Sequence, residues 1–223
     1  MLDLLLPRRC VVCARGGTLL CADCRGALPA LTPPFCERCG APTAWPVNRC
    51  RECTGRRLAF ATARAAVAYE AGVRALVAAW KERGLRRLAA EAAGIVVERL
   101  PPPTCDVLTF VPPDGGRRLE RGFHPAERLA CELGTAWRLP CEQLLRRTGR
   151  SQRQRGLRLA ERRGNVAGAF EPRGAAAGRI LLVDDVYTSG ATASEAARAL
   201  RRAGASEVAV VSLARTIRAP RLH

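Results

Sequence analysis

The chain has 223 residues, 37 basic and 20 acidic side chains, a formal net charge of +17 and 48% hydrophobic residues. That balance excludes a disordered polyelectrolyte and allows one or two domains with a sizeable core. The opening Met1 to Leu6 is too short for a secretion signal and no uncharged run approaches the roughly 20 residues of a membrane span, so the sequence predicts a cytoplasmic protein with no membrane span.

Eight of the 11 cysteines fall in the first 53 residues as four Cys-x-x-Cys pairs: Cys10 and Cys13, Cys21 and Cys24, Cys36 and Cys39, Cys50 and Cys53. A Cys-x-x-Cys turn aims two thiolates at one point, and two such turns supply the four tetrahedral sulfurs that Zn²⁺ takes in a structural site. The pattern predicts two zinc sites, with the pairs combined either consecutively or in an interleaved way. A disulfide scaffold needs a secretory context, and a redox motif needs no fourfold repetition. The composition changes at about residue 57, from cysteines, prolines and short turns to alternating apolar strands and alanine-rich helices. We therefore divide the chain into a zinc module, 1–57, and a second domain, 58–223.

Ala63 to Tyr69 reads as a strand, and Val73, Leu76, Val77 and Trp80 then mark the buried stripe of a helix. Asp106 to Val111 reads as a second strand, stopped by Pro112 and Pro113. Ala126, Leu129, Ala130, Leu133 and Trp137 stripe another helix, and both tryptophans read as core residues. Between 146 and 163, eight arginines face one glutamate, a local net charge of +7. Lys81 is the only lysine, so the basic excess is almost all arginine, a bias that high-GC coding also produces. A strand from Arg179 to Val183 leads through Asp184 to Ser189 into a helix ending near Gly204, and Val208 to Val211 forms a last strand. Repeated strand and helix alternation predicts an α/β fold, a mainly parallel sheet flanked by helices.

The most specific segment is Ile180-Leu181-Leu182-Val183-Asp184-Asp185-Val186-Tyr187-Thr188-Ser189-Gly190-Ala191-Thr192. An apolar strand ends in two acids, and a hydroxyl and glycine loop opens a helix. Backbone N–H groups of residues 188–192 and the hydroxyls of Thr188, Ser189 and Thr192 suit an anion at the positive end of that helix. Asp184 and Asp185 repel the same anion, so they suit hydroxyl groups or Mg²⁺ beside it. A phosphorylated sugar meets both demands. The sequence has no G-x-x-x-x-G-K-[ST] motif, and no G-x-G-x-x-G follows a predicted strand.

This segment resembles the phosphoribosyl pyrophosphate (PRPP) signature of type I phosphoribosyltransferases, and with the cysteine pairs in front the chain resembles the ComF family of competence-associated proteins. Further ComF-like features are Trp80-Lys81-Glu82-Arg83-Gly84, Val111-Pro112-Pro113, Arg121-Gly122-Phe123, Gln154-Arg155-Gly156-Leu157 and Arg162 to Phe170. His124-Pro125 departs from the family, in which an amide side chain is common there, and reads as inert loop.

The resemblance implies a type I phosphoribosyltransferase fold behind a double zinc ribbon, with Mg²⁺ accompanying PRPP. It implies that Asp184 and Asp185 hold the ribose hydroxyls, directly or through Mg²⁺. Thr188, Ser189, Gly190, Ala191 and Thr192 would cradle the 5′-phosphate, and Val111 and Pro112 would lie along the pyrophosphate. The basic stretch falls where related enzymes carry a lid, which makes Arg147, Arg153, Gln154, Arg155, Arg162 and Arg163 its candidate contacts. The implied reaction moves a phosphoribosyl group to a nitrogenous acceptor that the sequence does not identify. The rival reading is a binding protein that engages single-stranded DNA, or DNA-uptake or helicase machinery, through its ribbons and arginines, with the PRPP site sensing precursors or vestigial. Phe35, Trp45 and Phe60 are the aromatic residues near the ribbons available to that reading.

Overall fold

The computed structural model describes residues 8–113, 123–148 and 168–217. After a short helix α1 (Ala22–Gly26), the chain forms β1 (Thr62–Ala68), α2 (Ala71–Lys81), α3 (Leu88–Arg99), β2 (Val107–Phe110), α4 (Pro125–Trp137), β3 (Leu145–Arg147), β4 (Phe170–Pro172), β5 (Gly178–Tyr187), α5 (Ala191–Arg202) and β6 (Ala205–Arg215). Four strands make one sheet in the order β1-β6-β5-β2, and every neighbouring pair is parallel. β3 and β4 form a separate antiparallel pair.

Period-two burial on β5 sends side chains to two different cores. Leu181 and Val183 join α2, α3 and α4 on one face, while Ile180 and Leu182 join α5, Leu145 and Phe170 on the other. The expected architecture, a mainly parallel sheet with helices on both faces, is the observed one. Trp80 is fully buried, and Trp137 is half-buried against the same core. Helix α3 has no counterpart in the sequence reading. Three of its six buried residues, Ala89, Ala92 and Ala93, are alanines, which weaken the periodic signal of Leu88, Ile95 and Val96.

The cysteine-rich segment has no core of its own. Cys10, Leu20 and Leu28 pack into the first core, and Cys36, Cys39, Ala41 and Cys53 into the second, so its two halves lie on opposite faces of the sheet. The chain between them follows the outer edge of β1. Ala68 N–H donates to Pro29 O at 2.9 Å, Ala63 N–H to Arg38 O at 2.9 Å, and Ala30 bridges Val67 in antiparallel register. At the opposite edge, Leu108 N–H donates to Pro140 O and Glu142 N–H to Leu108 O, so a loop covers β2 as well.

Specific contacts anchor both halves. Arg25 of α1 pairs with Glu91 at 2.8 Å and Glu98 at 2.7 Å on α3, and Gly94 leaves room for it, since a Cβ there would lie 2.7 Å from its guanidinium. Gly40, at φ +66°, lets the second half close on β1, because a Cβ there would lie 2.5 Å from Ala63 O.

Candidate functional site

The sulfurs of Cys10, Cys13, Cys21 and Cys24 lie within 4.8 Å of one another, and so do those of Cys36, Cys39, Cys50 and Cys53. The pairs therefore combine consecutively, which settles the choice left open by their spacing. The donors fit Zn²⁺: four soft sulfurs per cluster, with no carboxylate or imidazole among them. Local backbone prepares each cluster for a cation. Burial raises the Cys10 and Cys36 thiols, but backbone N–H groups outweigh it and bring them down to about 6 and about 7. Cys24 is pushed up to about 12 chiefly because its thiol donates hydrogen bonds to Cys21 and Cys13, and burial raises Cys50 to about 11. Cys10 and Cys36 thus give up their protons more readily than Cys24 and Cys50, and a dication bound by the thiolates would displace the protons those two retain.

The acidic pair lies within β5 rather than after it. The sequence reading ended this strand at Val183, but β6 continues alongside and pairs Asp184 with Ser212, Val186 with Ala214 and Tyr187 with Arg215. On the other side β2 stops at Phe110, opposite Val183. Beyond that point, among the described residues, no strand pairs with β5 on its β2 side, and the acids stand at the carboxyl ends of the strands, the usual ligand position in open parallel sheets.

Asp184 Oδ1 accepts a hydrogen bond from Asp185 N–H at 2.9 Å. Burial, reinforced by the neighbouring Asp185 charge, raises the Asp184 carboxyl to about 7, against the attraction of Lys81 and Arg147. Lys81, at the end of α2, sets its Nζ 2.7 Å from Asp185 Oδ2. The sequence reading gave Lys81 no role, although being the only lysine among so many arginines is the signal that singles it out.

The loop after β5 is held from two sides. Thr216 N–H donates to Tyr187 O at 3.0 Å, and Thr216 Oγ1 donates to Thr188 O at 3.2 Å. Gly190 stands at φ +70° with the Tyr187 ring against it, and a Cβ there would lie 2.2 Å from the tyrosine hydroxyl oxygen. Ala191 N–H reaches Ser189 Oγ at 3.4 Å, but Gly190 gives α5 no side-chain cap. First-turn donors that lack such a cap are the groups an anion at this end would bind, and the first turn carries no acid to oppose it.

The other predicted contacts divide. Val111 and Pro112 are buried beside the carboxyl end of β5, where Val111 N–H is spent on Val183 O at 3.0 Å and proline has no N–H. These two residues offer no backbone donor to a ligand. Arg147, in β3, stacks over Phe170 at 5.3 Å with its charge toward Asp184. Arg153, Gln154, Arg155, Arg162 and Arg163 lie outside the described residues. The paired strands β3 and β4 are the two stems from which that basic segment leaves and returns. His124 caps α4, its Nδ1 accepting from Glu127 N–H at 3.3 Å, which accounts for it structurally. Phe60 is fully buried and offers no stacking surface, whereas Trp45 is 69% exposed.

Residues 1–54 match the model of the double zinc ribbon domain. Competence protein F of Haemophilus influenzae is 27% identical over 93% of this chain and 96% of its own. The ComF resemblance holds along nearly the whole chain. DNA utilization protein YhgH of Salmonella typhi is 28% identical over 96% of this chain and all of its own. Among solved structures, glutamine PRPP amidotransferase from B. subtilis, complexed with ADP and GMP, overlaps 55% of this ComF-like chain and 26% of its own, at 24% identity and a TM-score of 0.38. That overlap is partial, and the functional reading rests on the site itself. Among the described residues, no helix is long and apolar enough to cross a membrane.

Proposed function

We propose that this chain binds Mg²⁺ and PRPP at the carboxyl end of β5 and transfers the phosphoribosyl group to a nitrogenous acceptor, in the cytoplasm. The observation that carries the reading is one continuous strand, loop and helix that sets two carboxylates, one of them at about 7, beside an uncapped helix start. The loop of residues 188–192 takes the 5′-phosphate. Asp184 and Asp185 take the ribose hydroxyls and share the dication, which when bound neutralises the pyrophosphate leaving group. Arg147 supplies further positive charge near Asp184, and the arginines that follow it in the sequence would add more.

In the reaction the C1′–O bond to pyrophosphate breaks, the acceptor nitrogen's lone pair forms the new C1′–N bond, and the acceptor gives up a proton. Charge separates in the transition state, so fixed carboxylates near the ribose and arginines near the leaving group lower the barrier. Residues 1–57 serve as the structural zinc module, and 58–223 carry the chemistry.

Calorimetric titration of the zinc-loaded chain with PRPP and Mg²⁺ tests the site, with Asp184→Asn plus Asp185→Asn as the control. Binding in the parent and its loss in the double variant support the reading, and no binding in the parent overturns it. Pyrophosphate release across a panel of bases and amines then separates a transferase from a sensor.

One observation favours a second use. Trp45 exposes 69% of its surface on the second ribbon, and two relatives carry the names competence protein and DNA utilization protein. Single-stranded DNA stacked on Trp45 and contacted by arginines would bind with steep salt dependence. Unchanged affinity after Trp45→Ala and after neutralising the arginines of 146–163 would exclude that surface.

A further inference from the structure

Arg215, the last residue of β6, is 1% exposed, although it is an arginine at the end of a mostly apolar strand. Its Nη1 donates to the Cys39 carbonyl at 2.5 Å and lies 3.9 Å from Cys39 Sγ, and its Nη2 donates to Glu52 Oε2 at 3.2 Å. Cys39 is a member of the second four-cysteine cluster, and Glu52 stands between two other members, Cys50 and Cys53. The same guanidinium lies 5.3 Å from the centre of the Tyr187 ring, and Tyr187 is its register partner on β5. Phe60 closes the ring's surroundings edge-on at 6.3 Å. The tyrosine hydroxyl in turn abuts Gly190.

We propose that Arg215 is a positioning residue that links the second cysteine cluster to the loop of residues 188–192, so that zinc at the cluster and phosphate at the loop favour each other's binding. The inference rests on the phosphate reading of that loop. A tetrathiolate zinc site carries a net charge of −2 and fixes the Cys36 to Cys39 turn, which presents the Cys39 carbonyl and sulfur to Arg215. Held there, the planar guanidinium bonds along its edges and lays its face on Tyr187, a combination that an ammonium group cannot make. Tyr187 then supports Gly190 in its left-handed conformation. Without zinc the turn loses its fixed point, Arg215 loses its acceptor, and the tyrosine behind the loop is no longer braced. The first cluster lies against the opposite face of the sheet and touches none of these residues. Because binding linkage is reciprocal, phosphate at the loop must also retain zinc at the second cluster.

The test uses the full chain loaded with Co²⁺, whose thiolate absorption reports the cluster geometry, and PRPP with Mg²⁺ as the probe. Cys13→Ser disrupts the first cluster and leaves the second as reporter. We expect the probe to shift the remaining absorption and, in zinc-loaded protein, to slow metal loss to a chelator about tenfold at the second cluster only, within the usual range of couplings between sites. Arg215→Met and Arg215→Lys should abolish both effects while the second cluster still holds its metal ion. Should Arg215→Met fail to fold, Glu52→Gln loosens one arm of the clamp and should reduce the coupling. A parent that binds no PRPP removes the site reading, and this relay with it. A parent that binds PRPP without affecting metal release, or an Arg215→Lys protein that keeps the full effect, overturns the relay alone.

Discussion

Lys81 Nζ lies 2.7 Å from Asp185 Oδ2, so the chain's single lysine neutralises one of the two acids on which the proposed chemistry depends. The pair is largely shielded, with 27% and 13% of the side chains exposed. Lys81 therefore acts as a built-in cation that holds the acidic pair together before any ligand arrives.

Replacing Lys81 with Met should leave Asp185 without its partner and destabilise the chain by about 1–3 kcal/mol. Mg²⁺ should then raise the melting temperature of Lys81→Met more than that of the parent, since a dication fills the place of the lost ammonium. Thermal denaturation with and without Mg²⁺ checks this, and an equal Mg²⁺ response in the two proteins would refute it.

The Asp184 carboxyl titrates near 7 in the folded chain, against 3.8 as its ordinary value, chiefly because it is buried. Between about pH 4 and pH 7 the unfolded chain loses this proton and the folded chain keeps it, so stability falls as pH rises and levels off above 7. Asp184→Asn should remove that slope and gain on the order of 2–4 kcal/mol relative to the parent at pH 8, with little difference at pH 4. Urea denaturation across this range measures it. A ligand that needs the ionised carboxylate should bind the parent more tightly at pH 8 than at pH 6.

Gly190→Ala sets a Cβ 2.2 Å from the Tyr187 hydroxyl oxygen and 2.6 Å from the ring carbon that bears it, at a backbone φ of +70°. The expected cost is about 1–3 kcal/mol, together with at least tenfold weaker PRPP binding by calorimetry. Tyr187→Phe should not rescue it, because the ring carbon remains in the way.

Metal analysis should return two zinc ions per chain, one for each cluster. Cys53→Ser and Cys24→Ser should each lose one ion and lower the melting temperature, because the clusters are built into the two cores of the sheet. A chain that keeps its melting temperature after complete chelation would contradict that integration.

The elements legible in the sequence were those with a continuous apolar run or a helical apolar pattern, such as β5 for the first and α2 and α4 for the second. The cysteine pairs showed the ligand type, and the acids with the hydroxyl and glycine loop showed the site. The boundary at Val183 was misplaced because strand length there depends on β6 continuing beside it, a partner that no local window contains. Helix α3 escaped notice because alanine gives little contrast between faces. Lys81 and Arg215 act through partners over 100 residues away in the chain, Asp185 for the first and Cys39 and Glu52 for the second. Composition could have flagged Lys81, but nothing in its neighbourhood distinguishes Arg215 from the other arginines.

The strip of chain that runs along the outer edge of β1 has its ends fixed by the two cysteine clusters. An uncovered parallel sheet offers a row of free backbone donors and acceptors to any other extended chain. Zinc starvation would therefore threaten solubility as well as ligand binding, with self-association through the bared β1 edge as its sign. The order of the chain fits this hazard: residues that bind zinc are synthesised ahead of the strand they shield, so the guard can be metal-loaded by the time its sheet assembles.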